Sequence, residues 1–118
     1  MHRLLLIDHD RDVAQALGLA CLERGAGVTF AENVCEGVRV LVDQSISLVV
    51  VDAALLRLAP HEHATLFDRV APRTPVVVVV GPTTSLESRV ALELAGFRVR
   101  ARPVAADDLL KVAAGATA

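Results

Sequence analysis

The sequence predicts an α/β fold, a three-layer sandwich in which a five-stranded parallel sheet is covered by helices on both faces. Three observations carry that expectation. Five apolar runs recur along the chain, at Leu4–Ile7, Gly27–Phe30, Leu48–Val51, Val76–Val80 and Phe97–Ala101. Three of them are continuous rather than alternating, as strands buried on both faces are. Segments of helical period separate the runs, so β and α alternate five times, and right-handed crossovers turn that order into a parallel sheet. The chain is 53% hydrophobic but only 3% aromatic, so the core must be built from Val, Leu, Ile and Ala. For five such units the leading strand order is the flavodoxin-like 2-1-3-4-5.

Each helix has its own local signal. After the first strand, Asp10 or Asp12 can cap a helix whose apolar positions are Val13, Leu17, Ala20 and Cys21, and Gly25 supplies its stop. Asn33 with Glu36 reads as an N-cap and capping box for a second helix with Val34, Val38 and Leu41 on one side. Pro60 suits the first turn of a third, whose apolar residues are Leu66, Phe67 and Val70. Thr84 and Glu87 form another expected capping box, ahead of Leu86, Val90 and Leu94, and Gly96 closes that fourth helix. A short last helix is expected over Asp107–Ala113, with the chain fraying from about 114 to 118.

Length and charge narrow the class. The 118 residues fit one domain, 1–118. A formal net charge of -2 leaves no electrostatic footprint for nucleic acid or an anionic membrane. Mean hydropathy is +0.50, yet the longest apolar run, Val76–Val80, is far short of the ~20 residues a bilayer requires. The N-terminal MHRLLLIDHD meets acids after four apolar residues, too few for a signal-peptide core. A cytoplasmic protein is expected, with Cys21 and Cys35 as free thiols that act as small buried hydrophobes.

In sheets of this kind ligands bind beyond the carboxyl ends of the strands, at the switch point between strands 1 and 3. The first strand ends in Asp8-His9-Asp10 and the third in Asp52. Two carboxylates meeting there point to a metal site or a stored charge conflict. Helix capping accounts for Asp10 and Asp12, but Asp52 ends an apolar run with no cap signature directly after it. Elsewhere, His61 and His63 stand two apart, so on a helix they point to different sides and are expected as solvated or loop residues. A zinc site joining His9 with His61 or His63 beside Asp8 and Asp52 is a sharper alternative. Arg98, Arg100 and Arg102 alternate along the fifth strand, which fits an edge protected by charge.

Over essentially its whole length the chain resembles a response-regulator receiver domain of two-component signalling. The residues that carry the resemblance are LLLIDHD, SLVVVD, PVVVVV and GFRVRARP. It implies that Asp52 is the acceptor of a phosphoryl group from a histidine kinase, and that Asp8, Asp52 and the Ala54 carbonyl hold Mg²⁺. It also implies a partner surface on helix 4, strand 5 and helix 5, where Arg98 and Arg100 fall, used for a homodimer or an effector domain.

The chain departs from that pattern at named positions. His9 replaces the second acid, with Asp10 one residue further on, and an imidazole is a poor ligand for Mg²⁺. Val80 stands where a Thr or Ser ends the fourth strand, Val99 where an aromatic switch residue stands, and Arg102 where a lysine precedes a proline. Thr83, Thr84 and Ser85 lie further along the same loop. The strand-3 loop carries Leu56 and Pro60, and the segment from Gly96 to Arg102 is one residue short. An atypical, pseudo-receiver-like module is therefore expected, with a weakened Mg²⁺ site. It would work through protein contacts and have no enzymatic activity beyond self-phosphorylation at Asp52. The rival reading is a haloacid-dehalogenase-like aspartyl phosphatase with Asp8 as nucleophile, Asp10 as acid/base and Asp107-Asp108 as a later acid pair.

Overall fold

A computed structural model describes residues 2–115. Its strands are β1 (Arg3–Ile7), β2 (Gly27–Ala31), β3 (Leu48–Asp52), β4 (Val76–Val80) and β5 (Arg98–Ala101). Its helices are α1 (Arg11–Glu23), α2 (Val34–Asp43), α3 (Pro60–Val70), α4 (Leu86–Leu94) and α5 (Ala106–Ala113). All four strand pairings are parallel, in the order β2-β1-β3-β4-β5 expected from the sequence. Both edges are therefore known: β2 on one side, the arginine-bearing β5 on the other.

Side-chain alternation along each strand sorts the core into two layers. Leu5, Ile7, Val49, Val51, Val78 and Val80 face α2, α3 and α4 and meet Leu41, Phe67 and Leu92. Leu4, Leu6, Leu48, Val50, Val77 and Val79 face α1 and α5 and meet Cys21, Leu109 and Val112. Two of the chain's three phenylalanines, Phe67 and Phe97, stack edge to face with centroids 6.3 Å apart. α2 lies very close to β1, because a Cβ at Gly37 would stand 2.4 Å from Ile7 Cδ1.

The helix ends follow local chemistry, with some corrections to the expected residues. Asp10 caps α1 by accepting from Asp12 N and Val13 N. Asn33 caps α2 through Glu36 N, but Glu36 reaches back to Glu32 N rather than to Asn33 N. Pro60 opens α3, and Glu62 accepts from Ala59 N. α4 is capped by Ser85, which accepts from Ser88 N, and not by Thr84, since the helix starts one residue later than Thr84 and Glu87 would set it. Gly25 and Gly96 take the positive φ that ends α1 and α4. Ala114 and Gly115 close α5 with N–H bonds to Leu110 and Val112, while the rest of the expected frayed tail, 116–118, lies outside the described residues.

The helical faces need the larger corrections. On α1 the buried positions are Ala14, Gly18 and Cys21, and Val13 at the cleft end is exposed. On α4 the expected apolar stripe points away from the core: Leu86 is 76%, Val90 45% and Leu94 84% exposed, and Leu92 is the buried anchor. Periodicity defines a face but not the side it turns to, and here Leu92 with the following Phe97 already fills the space over β4 and β5. Cys21 is buried as expected, whereas Cys35 is exposed, because the inward positions of α2 are Gly37 and Leu41. Among the described residues no helix is long and apolar enough to cross a membrane.

Candidate functional site

The carboxyl ends of β1 and β3 put Asp8 and Asp52 side by side, as the switch point requires. One ligand atom from each of Asp8, His9 and Asp52 lies within 4.8 Å of the others. His9 Nδ1 is 3.8 Å from Asp8 Oδ1, with the His9 side chain 65% exposed and that of Asp8 15%. Asp10 is not part of this group: its Oδ1 accepts from Asp12 N and Val13 N at the α1 cap. The backbone N–H of Asp10 in turn donates to Asp8 Oδ1 at 3.0 Å, which holds that carboxylate at the mouth.

Asp52 is buried and satisfied twice. Its Oδ1 accepts from Ala54 N at 2.9 Å, which caps the short 3-10 turn Ala53–Leu55. The expectation that Asp52 has no cap role is thus corrected, because a two-residue side-chain turn needs no sequence signature beyond the aspartate itself. Its Oδ2 pairs directly with the Arg102 guanidinium. Arg102 reaches there because it follows β5 immediately, its N–H still bonded to the Val80 carbonyl at 3.2 Å.

The positions expected to differ in the pocket do so in a definite way. Val80 is 1% and Val99 9% exposed, and both belong to the α2–α4 core layer. Neither offers a hydrogen bond, and neither is aimed at solvent beside Asp52. A cavity of about 990 Å³ opens over the acidic group, lined among others by His9, Asp52, Ala54, Thr83, Thr84 and Arg102. Ser85 also lines it, but its oxygen is engaged at the α4 cap. A second cavity of about 570 Å³ lies behind Asp52 and Arg102, walled by Leu6, Leu17, Val50 and Val104.

The remaining candidates separate. His61 is exposed, whereas His63 is buried and its Nε2 accepts from Leu58 N at 3.0 Å, so His63 is not the solvated residue expected. Its Nδ1 is buried without a partner. Burial also pushes the His63 imidazolium below its ordinary range. Sequence reading missed this residue because one spacing argument was applied to both histidines, although the inward position shared with Phe67, four residues on, was there to be seen. Neither His61 nor His63 joins the Asp8–His9–Asp52 group. The later acid pair of the phosphatase reading is committed elsewhere: Asp107 pairs with Arg24 at 2.6 Å and Asp108 with Arg100 at 2.8 Å. Asp10, the acid/base of that reading, caps α1 through its Oδ1.

The donors suit Mg²⁺ poorly. That ion asks for oxygen ligands in near-octahedral order and dehydrates reluctantly. Here the second acid is an imidazole, and the Asp52 carboxylate already neutralises a guanidinium.

Comparison with known proteins agrees with the architecture. No family model matches the chain. The transcriptional regulatory protein GlrR of Escherichia coli K12 is 32% identical over 97% of this chain, and the chain spans 27% of that protein's length. QseF of E. coli O157:H7 matches to the same extent. A CheY-like receiver domain from Methanospirillum hungatei superposes with a TM-score of 0.81 at 23% identity, covering 98% of this chain and 93% of that one. The beryllofluoride-activated NtrC4 receiver domain dimer gives 0.81 at 17% identity, with 98% and 96% covered. A response regulator from Burkholderia pseudomallei, solved with a phosphorylated aspartic acid, calcium ion and citrate, gives 0.79 at 21%, with 98% and 71% covered. The chain thus has the fold of the response-regulator receiver domains among these solved structures, and over nearly all of its own length it is similar in sequence to part of a transcriptional regulatory protein.

Proposed function

We propose that this chain is an atypical receiver module, one that passes a signal by protein contact and in which phosphorylation of Asp52 is not the ordinary switch. The observation that carries the reading is the Asp52–Arg102 pair set against Val80 and Val99 in the core. Forming an acyl phosphate places negative charge on three phosphoryl oxygens, and each missing electrostatic partner costs ~10²–10³ in rate. Arg102 remains as a cation and can follow a phosphoryl group. A hydroxyl at the end of β4 and an aromatic on β5 are absent, so nothing there moves in response.

Asp52 keeps the acceptor position, and no turnover is assigned beyond self-phosphorylation there from a phosphodonor. The partners are a histidine kinase, an effector domain or a second copy. The outward stripe Leu86, Val90 and Leu94 beside β5 supports the α4–β5–α5 face as the contact, with self-association as a homodimer. The NtrC4 receiver is itself described as a dimer, which favours a second copy as the occupant. The domain's net charge of -2 argues against nucleic acid as its own ligand, and the proposed location is the cytoplasm.

The test is incubation with a small acyl-phosphate donor and a divalent cation, read by intact mass beside a competent receiver. The expected result is little or no adduct on this chain while the control is labelled. Stoichiometric labelling that disappears in Asp52→Asn would return the chain to ordinary phosphoryl switching.

A further inference from the structure

The cavity of about 570 Å³ on the α1–α5 side of the sheet has the size of a small-molecule site, which runs from ~300 to 1,000 Å³. We propose that it binds a small uncharged molecule with a slender aliphatic body and one hydroxyl or amide head. The floor is Leu6, Val50 and Val79, near the carboxyl ends of three neighbouring strands. Further back along the same face Cys21, Leu109 and Val112 fill the layer. Over the carboxyl ends the covering residues are Ala14, Ala20 and Ala106, and one methyl each leaves the space open. Val13, expected in the core, stands on the wall instead, 41% exposed, with the exposed Ala16 beside it.

Shape and charge select the occupant. The floor is nearly closed to water while the α1 wall is exposed, so the space is deep and narrow. A slender aliphatic body enters such a space, and a partner's helix, ~10–12 Å across, does not. At the polar end stand Asp8, Asp52 and Arg102, and the last two neutralise each other. An anionic ligand draws Arg102 away and leaves Asp52 buried and unpaired, while a cationic one is repelled by the guanidinium. A hydroxyl or amide both donates and accepts, so it meets carboxylate and guanidinium without breaking the pair.

The inference goes beyond the proposed function and is separable from it, because its test contains no phosphodonor. Hexanol is titrated into the full chain and followed by the NMR signals of the assigned methyl groups. The expected result is one saturable site that moves the methyls of Val13, Leu17 and Val104. From butanol to hexanol the affinity rises about fourfold per methylene. Hexanoate and hexylammonium bind more weakly than hexanol. Ala16→Phe, which sets a ring over the mouth, and Val13→Asn, which makes the wall polar, each weaken hexanol about tenfold or more. Val42→Ala, an exposed apolar position on α2 across the sheet, leaves it unchanged. Shifts that do not saturate, or that centre on other exposed apolar residues such as Leu86 and Leu94, overturn the proposal. So does a charged probe that binds as tightly as hexanol, or undiminished binding in both wall variants. Ala16 and Val13 are exposed, and the methyl map of the unsubstituted chain decides the site even if a variant fails to fold.

Discussion

The two halves of the cleft are built on different terms. At the ends of β1 and β3 the chain ends in carboxylates, Asp8 and Asp52, held by backbone N–H groups of Asp10 and Ala54. On the other side β4 ends in Val80 and β5 carries Val99 within it, and both have joined the hydrophobic layer under α2, α3 and α4. One half can accept charge; the other can only pack. The two are joined through Arg102, which leaves β5 and closes on Asp52. A strand end is therefore free to belong either to the site or to the core, and its last side chain decides which.

The largest effect is expected at the junction. Arg102→Ala leaves Asp52 buried and unpaired and should cost about 3 kcal/mol in a urea titration, the low end for a broken buried ion pair because Arg102 is partly exposed. Adding Asp52→Asn should recover most of that loss, since no buried charge is left and the Ala54 N–H keeps an acceptor. If the double variant is as unstable as the single one, the pair is not what joins the halves.

Val80→Thr comes next. It swaps a methyl for a hydroxyl at nearly equal volume in a site 1% exposed. If the β4 end is core, the unpaired hydroxyl costs ~1–3 kcal/mol. A neutral result would place that side chain at the cleft and return β4 to the accepting half.

His63 sharpens the comparison from below the loop. Its pKa is lowered from the ordinary 6.5 by burial, so the unfolded chain binds the proton more readily than the folded one. The contribution is therefore neutral above about pH 6.5 and turns against the fold as pH falls through that value. Protonation also removes the Nε2 acceptor from Leu58 N, at the rim of the cleft. Thermal melting should show a midpoint that drops on acidification below pH 6.5, and His63→Gln should flatten the drop.

The smallest effect tests the α4 start. Ser85→Ala should cost about 1 kcal/mol and Thr84→Ala much less. The reverse order would restore the cap read from the sequence.

The sheet was legible almost to the residue, because continuous runs such as Val76–Val80 leave few alternatives and Gly25 and Gly96 punctuate the helices. The acids were legible for a related reason: a charge at the end of an apolar run has no core role to explain it. Orientation was not legible. Leu86, Val90 and Leu94 have the spacing of a buried stripe, and only the filled volume around Leu92 and Phe97 turns them outward. The Arg102–Asp52 contact joins residues fifty positions apart through the order of two strands, and the cap made by Asp52 is a local turn that almost any aspartate can make.

The outward stripe of α4 has a thermodynamic consequence. Whatever covers Leu86, Val90 and Leu94 binds the folded chain and not the unfolded one, so folding and assembly become linked equilibria. When that cover is a second copy, the melting temperature climbs with protein concentration, and dilution alone weakens the fold. The marginal core of a 118-residue chain is then supplemented by its own abundance in solution.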